Sequence, residues 1–252
     1  MEIKMKKLMA MLDYKTKRYS VLWFSMLMVS SALAERPENE LPEYGGQHER
    51  TLATDLEHSK GAAELGWKYF YKGDLDTAIK RFNQSWLLDE KNYRAYWGFG
   101  IICGERAVAD EDSEHNIKDS IKYLKKAISL TTPNPKLLTD LGYSQTNFPA
   151  LLDGQNKKAD AKKELEEAAR TFQEAEKLDS NYPLLFENWS YALFYLGNYQ
   201  EAKAKMDRAT SLGIKFSDDY VKDLLQQLGK VQSDIPSHSD SHRDQPKSTG
   251  KK

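Results

Sequence analysis

The spacing of small residues constrains this chain more than any other feature. Between Glu64 and Asn92, Gly66 is followed seven residues on by Gly73, then by Ala78, Phe82, Ser85 and Leu88 at steps of five, four, three and three. Steps of three and four keep residues on one helical face, and Gly73-Asp74 between two such runs marks a turn. Small residues let two antiparallel helices close up, while large ones fill the space between pairs. A late segment repeats the pattern with Ser190, Gly197, Ala202, Met206, Ala209 and Leu212. Two looser copies lie between them. Gly100 and Gly142 stand in the place of Gly66, and their second helices run Ser120, Leu124, Ala127, Leu130 and Ala168, Phe172, Ala175, Leu178.

Subtraction fixes the register. Gly66 to Gly100 is 34 residues, Gly100 to Gly142 is 42 and Gly142 to Ser190 is 48; for the second helices, Ala78 to Ser120 is 42, Ser120 to Ala168 is 48 and Ala168 to Ala202 is 34. The second and third copies therefore hold 8 and 14 extra residues, both between their two helices. A 34-residue helix-turn-helix unit with small residues at these places resembles the tetratricopeptide repeat (TPR) over about two thirds of the chain, from Ser59 to Phe216. Gly-Asp-Leu-Asp-Thr-Ala at 73–78 and Gly-Asn-Tyr-Gln-Glu-Ala at 197–202 match the turn and second-helix start of that family; Glu90 and Ser180 stand where it often has a closing proline. The resemblance implies an all-α fold, a right-handed superhelical stack of four hairpins with units at 59–92, 93–134, 135–182 and 183–216.

A cap is expected at 217–230. Ser217 is placed as an N-cap, Asp218 and Asp219 put acids in the first turn, and Phe216 is positioned to staple against Val221. Val221, Leu224, Leu225 and Leu228 form one apolar face, and Gly229-Lys230 is a stop signal. A single helix with one polar side covers the apolar face that the last pair of a stack exposes. Proline placement agrees, since none falls between Glu43 and Thr132, and Pro133, Pro135 and Pro183 sit at unit boundaries.

The ends read differently. Six basic residues, Lys4 to Arg18, precede an apolar run from Val21 to Leu33 that closes on Ala32-Leu33-Ala34, the order of a cleavable signal peptide at 1–34. The run is short for a membrane span, and a retained anchor is the alternative. Removing 1–34 takes away six basic and two acidic residues of 37 and 38, leaving 31 against 36, or a net charge of −5. The expected location is the periplasm, without stable membrane insertion after cleavage. Residues 35–57 hold Pro37, Pro42, Gly45 and Gly46 among many charges and read as a flexible acidic lead-in, and 231–252 as a disordered polar tail.

The two insertions read as loops. Ala107–Glu114 is rich in acids but lacks the central glycine and alternating ligands of a calcium loop, so solvated acids at a helix start are expected. Asn147–Asn156, with Pro149 and Asp153-Gly154, lengthens the third hairpin, with Phe148, Leu151 and Leu152 expected as a small satellite core. Gly98, Gly100 and Gly104 lie in a helical run without the strand and spacing of a dinucleotide fingerprint, and read as close packing.

No catalytic constellation emerges. The five histidines lie outside metalloprotease or nucleophile motifs, and the tail pair His238 and His242 reads as solvated. Cys103 is the lone cysteine and reads as a packing residue. Asn83 and Asn188 match the glycosylation pattern but fall in packed helices. A whole-chain net charge of −1 gives no case for nucleic acid. The reading is a non-enzyme without cofactor or metal.

Recognition remains. In the TPR family the first helix of each unit lines a concave groove that holds a protein or peptide. Carried over unit by unit, this implies a partner-binding face of Lys60, Trp67, Phe70 and Tyr71, then Arg94 and Trp97, then Lys136 and Tyr143, then Tyr191, Phe194 and Tyr195. Rings offer contact area at low entropic cost, and basic groups meet carboxylates. The competing reading is that about half of these rings, Phe70 and Phe194 first, fill space between neighbouring first helices. The family's carboxylate clamp uses lysine and asparagine where this chain has Ala63 and Trp67, which argues against a cytosolic chaperone adaptor. Two classes stay open: an exported adaptor for a protein or peptide in envelope assembly or regulation, and a carbohydrate- or peptidoglycan-binding module using the same rings. Trp67→Ala and Tyr191→Ala are expected to weaken binding while costing less stability than Phe82→Ala.

Overall fold

The computed structural model describes residues 36–46, 53–109, 113–151 and 158–233. The signal segment and most of the polar tail lie outside them. The described residues form helices α1 (Leu56–Phe70), α2 (Leu75–Leu88), α3 (Tyr93–Ala109), α4 (Ser113–Ser129), α5 (Pro135–Leu151), α6 (Lys158–Leu178), α7 (Pro183–Leu196), α8 (Tyr199–Ser211) and α9 (Asp218–Ser233). Each odd helix from α1 to α7 packs most closely on the next, and each hairpin packs on its successor, with α9 against α8. The fold is all-helical and is a stack of TPR-type hairpins with a terminal helix.

Local chemistry sets the ends. Asp55 and Asp74 accept the backbone N–H of His58 and Thr77 at 3.0 Å, capping α1 and α2, and those hydrogen bonds hold both carboxyls below the usual carboxylate range. Gly73 and Gly197 take φ of 79° and 83° at the hairpin turns, where a side chain would be strained. Ser217 Oγ accepts the Tyr220 N–H, the expected cap of α9.

The small residues do what their spacing demands. A Cβ on Gly66 would lie 2.6 Å from the Phe82 ring, and one on Gly98 would lie 2.4 Å from the same ring's other edge. Phe82 is thus wedged between successive first helices, α1 and α3. Gly142 meets Phe172, and Gly100 meets Leu124, in the same way. Two cores result. Phe82, Phe99, Ile102, Leu124, Leu137, Leu141 and Phe148 belong to the first; Leu138, Phe172, Phe186, Leu193, Tyr220 and Leu224 belong to the second. Helix α5 contributes to both.

Several expectations need correction. The first insertion lengthens α3 to Ala109 and starts α4 at Ser113, so it adds helical turns where a loop was expected. In the second, α5 continues through Pro149 and ends two residues beyond it, at Leu151. Of the expected satellite, Phe148 is buried in the first main core, and Leu152 lies outside the described residues. Helix α9 runs past Gly229 to Ser233, so that glycine does not stop it.

The lead-in also departs from expectation. Residues 38–46 form a 3₁₀ turn, Glu38–Glu40, and a left-handed turn through Glu43, Tyr44 and Gly45, both packed on α2. Asn83 Nδ2 of α2 donates to the carbonyls of Asn39 (3.1 Å) and Leu41 (2.7 Å), Arg106 of α3 donates to the Glu40 carbonyl (2.6 Å), and Pro42 is buried. At least this part of the segment is anchored, because buried donors on the stack need acceptors and the lead-in's backbone supplies them.

Candidate partner-binding face

The first helices present a row of rings. Trp67 of α1 and Trp97 of α3 meet edge to face with centroids 5.2 Å apart, and Tyr71 lies 6.1 Å from Trp67. Both tryptophans are half-buried, while Tyr71 is 69% exposed. The Trp97 indole N–H donates to Asp140 Oδ2 of α5 at 2.9 Å. Asp140 is buried, so this bond supplies part of what its carboxylate requires. Three consecutive first helices are thereby joined along one face.

Helix geometry produces the row. Gly66 points at the Phe82 ring within its own hairpin, and the next residue is rotated by about 100°, which carries Trp67 out of the hairpin interior. Trp67 keeps one edge on Phe82, at 5.3 Å between centroids, and another on Phe70 at 5.7 Å. It is therefore anchored in the core and exposed on the face at once.

The expected face residues divide by location. Lys60 and Lys136 are exposed, and Arg94 is half-buried with its guanidinium 3.4 Å from Glu64 and over the Tyr93 ring. Tyr143 is half-buried on α5. Phe70 is buried in the first core and offers no surface to a partner. In the fourth unit Tyr191 and Phe194 pack against the cap. Tyr191 lies 4.3 Å from Tyr220 and 5.8 Å from Phe216, and Phe194 lies 5.4 Å from Tyr220. Tyr195 is half-buried, and burial pushes its phenol up to about 12. The helix that covers the last hairpin thus packs on one side of Tyr191 and Phe194, which stay half-buried, a consequence of the cap that register alone does not show.

One residue of this region escapes a pattern reading. Asp140 is an acid buried on a first helix, at 4% exposure. The available signal is an acid flanked by apolar residues, Leu138 and Leu141 around Asp140, but an isolated acid in a helix is usually solvated.

Chemistry elsewhere is quiet. Burial pushes the Cys103 thiol up to about 12, which keeps it a protonated packing group. Asn83 and Asn188 are both buried. Among the described residues, no group of three or more His, Cys, Asp or Glu side chains could hold a metal ion, and no helix is long and apolar enough to cross a membrane.

No protein-family model matches this chain, and no curated protein matches it by sequence. Solved structures do. The fold is similar to that of TTC0263, a thermophilic TPR protein of Thermus thermophilus, at a TM-score of 0.53 and 15% identity over 71% of this chain and 93% of that one. Weaker likenesses are to pilF of Pseudomonas aeruginosa (TM-score 0.35, 16% identity, 71% and 86% of the two chains) and to YrrB, a TPR protein with an unusual peptide-binding site (0.32, 16%, 70% and 93%).

Proposed function

Starting from a TPR-type helical repeat protein, we propose that this chain is a non-catalytic adaptor of the periplasm that holds an extended peptide or a helix of a partner protein against its first-helix face. The row Tyr71, Trp67, Trp97, joined to Asp140, is the observation on which this rests. An exposed tyrosine beside two half-buried indoles offers rigid apolar area with little rotamer entropy to lose, and the same set of first helices carries the exposed Lys60 and Lys136. The signal-like segment 1–34 motivates the location, and envelope assembly or regulation is the role proposed there.

A glycan ligand is less well served. Stacking on successive sugar rings needs flat, accessible ring faces, and the planes of Trp67 and Trp97 are 71° apart with their edges in contact. Tyr71→Ala separates function from folding, because this ring is the most exposed of the row. Capture of a periplasmic protein by the immobilised full chain should weaken at least about five-fold, with an unchanged melting temperature. Equal capture by the variant, or retention on peptidoglycan sacculi lost in Tyr71→Ala, overturns the protein-adaptor reading.

A further inference from the structure

The docked lead-in occupies a slot that the repeat pattern does not call for. In the other three units, the second-helix residue after the core side chain is Lys125, Gln173 or Asp207, all exposed. Asn83, at that place in α2, is fully buried, because residues 38–46 lie over it. The slot floor is polar: Asn83, Arg106, and the phenols of Tyr96 and Tyr123.

We propose that this slot, between α2 and α4, is a second binding site, for an extended acidic peptide segment, and that residues 38–46 are its resident and exchangeable occupant. The hold is mainly on backbone. Three consecutive carbonyls, Asn39, Glu40 and Leu41, are bound by Asn83 and Arg106, and every peptide has such carbonyls. Selectivity comes from charge and shape. Lys80 Nζ lies 3.0 Å from Glu40, the Tyr123 hydroxyl donates to Glu43 at 3.2 Å, and Pro42 is buried between the two acids. A matching segment therefore has carboxylates three residues apart with an apolar residue between them.

The resident fits imperfectly, which is why it can be replaced. Its two carbonyls fix the Asn83 amide so that Nδ2 faces them, leaving Oδ1 buried without a hydrogen-bond partner. A segment that also presents an N–H to Oδ1 would bind better. Glu43 and Tyr44 sit at φ of 52° and 55°, a region costly for residues with a Cβ. A segment arriving in trans is not tied to α1 and need not turn there.

The test uses the full chain and a fluorescein-labelled synthetic peptide of residues 36–46. Glu40→Lys with Glu43→Lys in the chain releases the resident, and fluorescence anisotropy should then show the peptide binding at least about ten-fold more tightly than to wild type. Adding Lys80→Ala, an exposed change that leaves the core intact and cannot pair with the new lysine at position 40 of the resident, should weaken that binding by about three-fold. The proposal is overturned if the peptide fails to bind the charge-reversed chain while its helical circular dichroism is native, or if Lys80→Ala leaves binding unchanged. A wild-type dimer by light scattering that disappears on charge reversal supports it too, with a second copy as the source of the segment.

Discussion

In the first two hairpins, Phe82 is pressed between Gly66 and Gly98, and the rings beside those glycines reach the surface of the stack. In the fourth hairpin the equivalent of Gly66 is Ser190, whose hydroxyl donates to the Ala202 carbonyl at 2.8 Å and accepts from the Tyr220 hydroxyl at 2.6 Å. One end closes its helices by removing side chains, and the other ties them to a cap by hydrogen bonds. The rings follow suit. Trp67 and Trp97 pair with each other across units, whereas Tyr191 and Phe194 pair with Tyr220 of α9. Identical register thus yields a pair of rings joined across two units at one end and a terminal seal at the other.

The contrast can be broken hardest at Phe82. Phe82→Ala removes a fully buried ring shared by α1, α2 and α3, and should cost about 3–5 kcal/mol in chemical unfolding. Native-state hydrogen exchange should show the first two hairpins losing protection before the last two. Uniform loss along the chain would show that the two cores unfold as one.

Tyr191→Ala tests the seal. Its ring is sandwiched against Tyr220 and Phe216, so its loss should cost about 2 kcal/mol and loosen α9 selectively, read by proteolysis near the C-terminus. This revises the expectation from register, in which Tyr191 was equivalent to Trp67 as a binding ring. A variant with native stability and weakened partner capture would restore that equivalence.

Trp97→Phe is milder. It keeps a ring beside Trp67 but removes the N–H given to Asp140, at about 1 kcal/mol. Thermal melts should register it, and pairing it with Asp140→Asn should give a non-additive cycle.

Alkaline titration gives the smallest effect and touches both ends. Burial, helped by the Glu43 charge, raises the Tyr96 phenol from 10.0 to about 12, and burial alone raises Tyr195 to about 12. The fold favours the protonated phenols, so their contribution is complete below pH 10 and is lost as pH rises through about 12. Melting temperature should be flat up to pH 10 on this account and fall above it, and Tyr96→Phe should remove part of the fall.

The hairpins were legible because their signal is the packing itself. Gly66, Gly142 and Ser190 recur at set distances because each sits where two helices touch, and a residue with no room for a side chain shows in the sequence. The insertions were not. Residues near Asp110–Glu114 resemble a loop by composition, yet helix propensity and the buried faces of Ala107 and Ile117 extend both flanking helices toward them. The docked lead-in was hidden for another reason. It has no periodicity, and its partners, Asn83, Arg106 and Tyr123, lie 42 to 80 residues away and read individually as ordinary helix residues. On the candidate face, pattern reading placed Trp67, Trp97, Tyr191 and Phe194 in one register, but could not tell that the last two would pack on Tyr220 of the cap.

The wedged phenylalanine also acts as a gauge block. Helices α1 and α3 rest on opposite edges of one rigid ring, with no side chain at Gly66 or Gly98 to flex between, so their separation is set by the width of a benzene ring. Whatever lies across Trp67 and Trp97 meets a fixed pitch. Under the proposed function, a partner's anchoring groups would have to match that pitch, and longer or shorter spacings would be rejected by geometry before any chemical preference applied.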